Sequence, residues 1–488
     1  MDYETLQIEH VDAAYIKVRC ERSAAMELSE YFTFMVPGAR HMPSFKNKIW
    51  DGKIRLFNLK NNTIYAGLRQ QIEEFAKERE YKIEYLSDFA LREFSAVEAK
   101  EFYTSLNLPE QIATRDYQLD TFAYCVRNGR VLVESPTASG KSLMIYMLTK
   151  FYNKKTLIAV PTTALVHQMF SDFEEYGFDS GKSVHKIFAG QDKNTDKQVV
   201  VSTWQSIYEL DKKWFDQFGL IIGDEAHLFK ANSLNKIMTN LSRAEYRFGF
   251  TGSLDGTATN QMVLEGLFGR AKKLVTTSQL MDQGYLADLK IKLIVLQYPD
   301  DTKQFVAKNL KDYKDELGFI VEMERRNRFI QNLALSLKGN TLVLYQFVER
   351  QGKPLYEGIQ AKAEERKVFF IHGKVDGEER NNVRYVVNEE KDAIIVASYG
   401  TFSTGINIPN IHNIIFASPF KSKIKNLQSI GRALRLGTDK NKATLYDIAD
   451  DLSWKSRKNF MMHHLDARLD IYNEEKFDYK IYTVKLGG

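Results

Sequence analysis

Short apolar runs recur along most of the chain, separated by stretches long enough for a helix. RVLVES (130–135), TLIAVP (156–161), QVVVSTW (198–204), LIIGDE (220–225) and YRFGFTGS (246–253) form one series. TLVLYQF (341–347), KVFFIHG (367–373), AIIVASY (393–399), NIIFASP (413–419) and ATLYDIAD (443–450) form a second. Runs that are apolar at successive positions suit strands covered on both faces. Interleaved with helical segments, they predict an α/β protein with two parallel sheets in tandem. The first hundred residues differ: a mixed α/β part precedes a Glu/Lys-rich helical pattern, QQIEEFAKERE. Residues 296–316 read as a charged, partly helical connector. The tail opens on a helical pattern, WKSRKNFMMHHLDARLDIY. The expected organisation is a small N-terminal α+β domain (1–108), two sheet domains (109–285 and 286–450) and a C-terminal helical extension (451–488).

Composition narrows this only a little. A chain of 488 residues exceeds one ordinary core, so several domains are expected. With 44% hydrophobic and 27% charged residues it reads as soluble and globular. A net charge of +5 neither demands nor excludes a polyanionic partner, so the distribution of charge decides more than the sum. Cys20 and Cys125 make no metal or redox spacing and read as reduced thiols. No apolar run is long enough to span a membrane, and the N-terminus, MDYETLQIEH, lacks the apolar core of a signal peptide. A cytoplasmic protein without a membrane partner is expected.

The chemistry begins after RVLVES. SPTASGKS (135–142) sits between a strand and a helix on which Leu143, Met147, Leu148 and Phe151 share one face. Small residues there let backbone N–H groups converge on a triphosphate at a helix N-terminus. Ser139, Gly140, Lys141 and Ser142 are the candidate ATP contacts, with Lys141 reaching the β- and γ-phosphates and Ser142 ligating Mg²⁺. Ser135 stands where the general pattern has glycine, and a plain tight turn is the competing reading. LIIGDEAH supplies the second half. Asp224, at a strand end, can hold the same Mg²⁺, and Glu225 can orient and deprotonate the attacking water. ATP hydrolysis with Mg²⁺ is therefore expected.

The second sheet has no phosphate loop of its own. It carries QSIGRALR (428–435), where Arg432 and Arg435 share a helix face. Guanidinium groups brought to a γ-phosphate stabilise the charge that develops during transfer, which would couple hydrolysis to closure of two lobes. Two solvated arginines are the plainer alternative. RDYQ (115–118), SPTASGKS, PTTALVHQ (161–168), DEAH (224–227), TGS (251–253), ASYGTFSTGINIPN (397–410) and QSIGRALR, in this order, make the chain resemble the superfamily 2 helicases with a DEAH-box-like motor. The resemblance covers about 110–450. The whole length is similar to the branched-DNA helicases of T-even bacteriophages.

The resemblance implies two RecA-like domains and a set of roles. Gln118 would read the adenine edge, with Arg115 assisting. Thr162 and Thr163 would touch the DNA backbone. His227, Thr251, Ser253 and Gln428 would couple the nucleotide site to the strand-binding surface. Thr404 and Gly405 would lie where the second lobe meets ATP and DNA. PTT also reads as a helix cap and TGS as a turn. Asn407 replaces an acid common in relatives, and TGS is followed by Leu254 instead of an alanine.

The fold does not choose the substrate. Residues 40–69 hold seven Lys/Arg (Arg40, Lys46, Lys48, Lys53, Arg55, Lys60, Arg69) against Asp51 alone. KIWDGKIRLF, with a DG turn between alternating runs, predicts a hairpin. Lys48, Trp50, Lys53 and Arg55 then become candidates for phosphate contact and base stacking or wedging. A half-buried hairpin with Trp50 in the core is the alternative. Lys455, Arg457, Lys458, His463, His464 and Arg468 make the tail either a further DNA contact or a helix packed on the second lobe. The adjacent histidines are not spaced for zinc.

The combined expectation is an ATP-dependent DNA helicase or translocase. By resemblance it would act in Holliday-junction branch migration, fork regression and unwinding of R-loop RNA–DNA hybrids. The expected partners are branched or forked DNA, RNA–DNA hybrids, and single-stranded-DNA-binding or recombination proteins, with a monomer favoured. An ATP-gated clamp or sensor that does not unwind, or the motor subunit of a restriction nuclease, would use the same ATPase parts.

Overall fold

The structure is a computed structural model. It describes residues 5–136, 138–228, 231–252, 254, 257–273, 275–373, 386–387, 389–405, 410–418, 430–431, 434 and 442–487. The chain divides into two compact units, 1–135 with 140–274, and 136–139 with 275–488.

The first unit begins with β1 (Thr5–His10), β2 (Tyr15–Arg19), β3 (Thr33–Met35), β4 (Lys53–Arg55), β5 (Thr63–Tyr65) and β6 (Lys82–Tyr85). Four of them form a sheet of order β5-β2-β1-β6, in which β1 runs antiparallel to β2 and parallel to β6. Alternation places Leu6, Ile8, Ile16 and Val18 on the buried face, where they share a core with Leu28 of helix Arg22–Tyr31 and with Ile72 and Phe75 of helix Arg69–Glu78. β3 and β4 pair separately.

This small domain is fused to the next sheet. Their apolar side chains form one cluster, from Leu6 to Leu132 and Phe268. Gly67 lies against helix Ala258–Phe268 so closely that a Cβ would meet the Glu265 carbonyl oxygen at 2.1 Å. Beside it the buried Gln71 side chain donates to Glu265 at 2.6 Å.

The first large sheet comprises β7 (Arg130–Glu134), β8 (Thr156–Val160), β9 (Val184–Ile187), β10 (Val199–Thr203), β11 (Leu220–Asp224), β12 (Tyr246–Thr251) and β13 (Ala271–Lys273). All seven are parallel, in the order β13-β7-β12-β11-β8-β10-β9. The C-terminal ends of β7, β11 and β12 therefore lie side by side, where ligands bind in such sheets.

The second unit repeats the plan with β14 (Asp288–Gln297), β15 (Thr341–Tyr345), β16 (Val368–Ile371), β17 (Ile394–Ser398), β18 (Asn413–Phe416), β19 (Lys442–Asp451) and β20 (Tyr479–Lys485). These are also all parallel, in the order β16-β17-β15-β18-β19-β14-β20. The fold is thus a tandem pair of RecA-like sheets with a small N-terminal α+β part. The tail supplies more than a helix: after Phe460–Glu474 it adds β20 to the sheet edge.

Buried charge ties that tail down. Arg468 donates to Asp447 at 2.8 Å, and the Tyr472 hydroxyl donates to the same oxygen at 2.9 Å. Arg326 and Tyr298 both bond Asp450, each at 2.7 Å. Glu316 accepts from the Phe460 and Met461 amides at 3.1 and 2.9 Å, giving the tail helix a carboxylate at its positive end. Arg457 donates to the Leu310 carbonyl at 2.8 Å. Arg457 and Arg468 therefore serve the packing of the tail.

Candidate active site and nucleic-acid interface

The phosphate loop leaves β7 and is held at its entry by β12, since the Ser135 amide donates to the Thr251 carbonyl at 2.8 Å. Ala138 and Gly140 take left-handed backbone angles, φ +67° and +74°, on either side of Ser139. Alternating backbone of this kind turns successive N–H groups to one side and makes an anion-binding concavity. Helix Lys141–Tyr152 follows, with Leu143, Met147 and Leu148 buried.

Lys141 and Glu225 are the centre of the site. The Lys141 ammonium lies 3.3 Å from Glu225 Oε1, with both side chains mostly buried. Glu225 itself takes φ +51°, an uncommon angle for a residue with a side chain. Asp224 is buried at the end of β11, and its carboxylate accepts the Glu225 amide at 3.0 Å. Burial and the adjacent Glu225 raise its pKa well above the carboxylate range, Lys141 opposing and Asp172 adding to the rise. The two carboxylates and the Ser142 hydroxyl are oxygen donors of the kind a divalent cation takes.

A relay continues from Glu225. His227 Nδ1 lies 3.6 Å from Glu225 Oε2 and 2.5 Å from the Thr251 hydroxyl. Thr251 thus meets His227 through its side chain and the phosphate-loop entry through its carbonyl. On the other flank, Gln118 is buried, and its side-chain amide donates to the Gly140 carbonyl at 3.3 Å while accepting from the Arg115 amide at 2.9 Å. Arg115 donates to the Tyr117 hydroxyl at 2.9 Å.

Ser142 brings in a residue that motif reading missed. Its hydroxyl lies 2.8 Å from the hydroxyl of Tyr176, just past the end of helix Thr163–Glu175. Tyr176 is largely buried, which pushes its phenol up to about 12. The same helix carries Asp172 one turn earlier. Its other end is PTT: Thr162 is the helix cap, accepting the Leu165 amide, and Thr163 is exposed beside it. Leu254, the residue after TGS in the sequence, is buried. Ser253, Asn407, Gln428, Arg432 and Arg435 lie outside the described residues. Thr404 and Gly405 end the helix Tyr399–Gly405 after β17.

The basic segment is built differently from the expected hairpin. Pro43–Lys46 forms a helical turn, with proline at its start. β4 pairs with β3 at Thr33↔Arg55 and Met35↔Lys53, so the strands do not fold back across Asp51–Gly52. Gly52 does have the positive φ of a turn, +78°, but it is packed against Met35 and Phe45. Trp50 is half-buried and its indole N–H donates to the Lys53 carbonyl at 2.9 Å. Arg55 pairs with Asp51, whose carboxyl it holds below its usual range. Lys48 and Lys53 are exposed.

Three family profiles match the chain. Residues 5–86 match the family profile "DNA helicase UvsW, N-terminal", 104–255 match "Type III restriction enzyme, res subunit", and 324–437 match "Helicase conserved C-terminal domain". The ATP-dependent DNA helicase uvsW of Enterobacteria phage T4 is 36% identical over 99% of this chain and 100% of its own length. The chain belongs to the UvsW family of superfamily 2 helicases. The crystal structure of T4 UvsW superposes with a TM-score of 0.53 at 33% identity, covering 99% of this chain and 100% of that one. The DNA 3'-5' translocase XPB2 of Sulfurisphaera tokodaii is 24% identical over 67% of this chain and 80% of its own. A type I restriction HsdR fragment from Vibrio vulnificus shares the fold, with a TM-score of 0.57 at 17% identity over 78% of this chain and 71% of that one.

Proposed function

We propose that the protein is an ATP-dependent DNA helicase that remodels branched DNA. It would migrate Holliday junctions, regress forks and unwind RNA–DNA hybrids in R-loops, serving recombination, repair and replication control. The observation that carries this is the likeness to the T4 helicase over the full chain, taking in the N-terminal module as well as both motor sheets.

In this reading ATP enters between Gln118, at the adenine edge, and the phosphate-loop amides. The phosphates draw Lys141 from Glu225. Glu225 then accepts the proton of the water that attacks the γ-phosphorus, while the bond to the β–γ bridging oxygen breaks and ADP leaves with its electron pair. Ser142 and Asp224 would hold Mg²⁺, which when bound neutralises charge on the phosphate oxygens. Tyr176, from behind, fixes the Ser142 hydroxyl. Arg432 and Arg435 stabilise the transferring phosphoryl group. His227 and Thr251 pass the state of the γ-phosphate to β12 and the DNA-contacting end of the lobe.

The restriction-motor reading draws on the profile match at 104–255, which covers only the first motor sheet. ATP turnover measured with single-stranded DNA, duplex, fork, four-way junction and RNA separates the readings. Greatest stimulation by fork or junction, with the DNA left uncut, supports the proposal. Stimulation by linear duplex alone, or strand cleavage, contradicts it.

A further inference from the structure

The basic loop of the N-terminal domain holds a large apolar side chain out in water. Ile49 is 79% exposed, more than any other large hydrophobic residue among those described. It is not exposed because the loop is loose. The Lys46 and Asn47 amides bond the Met42 and Pro43 carbonyls at 3.0 and 2.8 Å. The Lys48 amide bonds Phe45 at 3.0 Å, and those of Ile49 and Trp50 both bond Ser44, at 2.9 and 3.2 Å. Lys48 turns the chain with φ +57°, and the Trp50 indole locks onto Lys53. Behind the loop, Gly52 leaves no room for a Cβ, which would meet Met35 Sδ and Phe45 Cδ2 at 2.9 Å each.

Around this fixed tip stand exposed cations. Arg40, Lys46, Lys48 and Lys53 are all solvent-facing, and Asp51, the one acid in 40–60, is engaged by Arg55. A patch of this charge draws a phosphate backbone. On DNA, the apolar surface that an Ile among such cations can reach is the face of a base. A β-branched aliphatic residue is a poor stacking platform compared with an aromatic ring, but it suits insertion between base pairs, where apolar side chains part neighbouring steps. Trp50, the aromatic candidate, is half-buried with its N–H engaged.

Resting on the branched-DNA reading above, we infer that Ile49 is a wedge that enters the base stack at the branch point while Lys46, Lys48 and Lys53 hold the flanking phosphates. The lysines set affinity and Ile49 sets opening.

The test uses the full chain and a forked duplex with 2-aminopurine at the first paired position. Bound without ATP, the wild type unstacks the probe and brightens it several-fold, whereas Ile49→Ser leaves it dim. With ATP, Ile49→Ser displaces strands at least about tenfold more slowly, since parting one base step costs more than a tenfold rate difference. Its ATP turnover on single-stranded DNA and its thermal melting stay at wild-type values, and Ile49→Leu restores opening. Wild-type displacement and brightening by Ile49→Ser overturn the wedge alone. A wild type that opens no branched substrate overturns the helicase reading and the wedge with it.

Discussion

Lys48 and Lys53 are exposed and have no ion-pair partner among the described residues, whereas Arg55 is already held by Asp51. If the segment grips DNA, these two lysines each add to the counterion release. Each phosphate neutralised on a duplex contributes about 0.9 to the slope of log K against log salt, so Lys48→Ala with Lys53→Ala should flatten the slope by about 1.8. Over a fourfold salt range the affinity ratio of wild type to variant then changes by about 12-fold. Asp51→Asn should act in the opposite direction, freeing Arg55 and steepening the slope by up to about 0.9. Fluorescence anisotropy of a labelled fork at a series of KCl concentrations measures all three. A double variant with the wild-type slope would show that these lysines never meet phosphate.

Three further outcomes follow from the two motor sheets. Tyr176→Phe removes one hydrogen bond from Ser142, about 1 kcal/mol, and should raise the Mg²⁺ needed for half-maximal ATP turnover roughly fivefold; an unchanged Mg²⁺ requirement refutes its positioning role. Arg468→Met leaves Asp447 buried without its cation and should cost about 3–5 kcal/mol in urea unfolding of the second unit, while Asp447→Leu added to it recovers most of the loss. Arg435→Ala should lower ATP turnover by about 10³-fold with nucleotide affinity little changed, as removal of a finger arginine does; a wild-type rate removes that role.

The motor was legible in the sequence because its strands are buried on both faces. β8, β10, β11, β15 and β18 are continuous apolar runs with no exposed residue. β14 and β20 were not read as strands, because DLKIKLIVLQ opens with alternating charge and YKIYTVK is an exposed edge. The edge strands β9 and β13 are only four and three residues long. The phosphate loop and DEAH were readable because their chemistry is local. Tyr176 was not, since only the fold brings a helix end to Ser142, 34 positions away. The hairpin was misread for a related reason. The DG signal located a true positive-φ glycine, but the partner of β4 is a strand some twenty residues earlier, and Pro43 had already started a helical turn.

The central claim is that ATP hydrolysis drives remodelling of branched DNA. The measurement is conversion of a mobile four-way junction to its duplex products, followed beside ATP turnover, for the wild type and for Lys141→Ala. The expected result is ATP-dependent conversion by the wild type, and loss of both activities in a Lys141→Ala protein that melts at the wild-type temperature and still binds the junction. Junction-stimulated ATP turnover with no conversion would contradict it and leave an ATP-gated clamp.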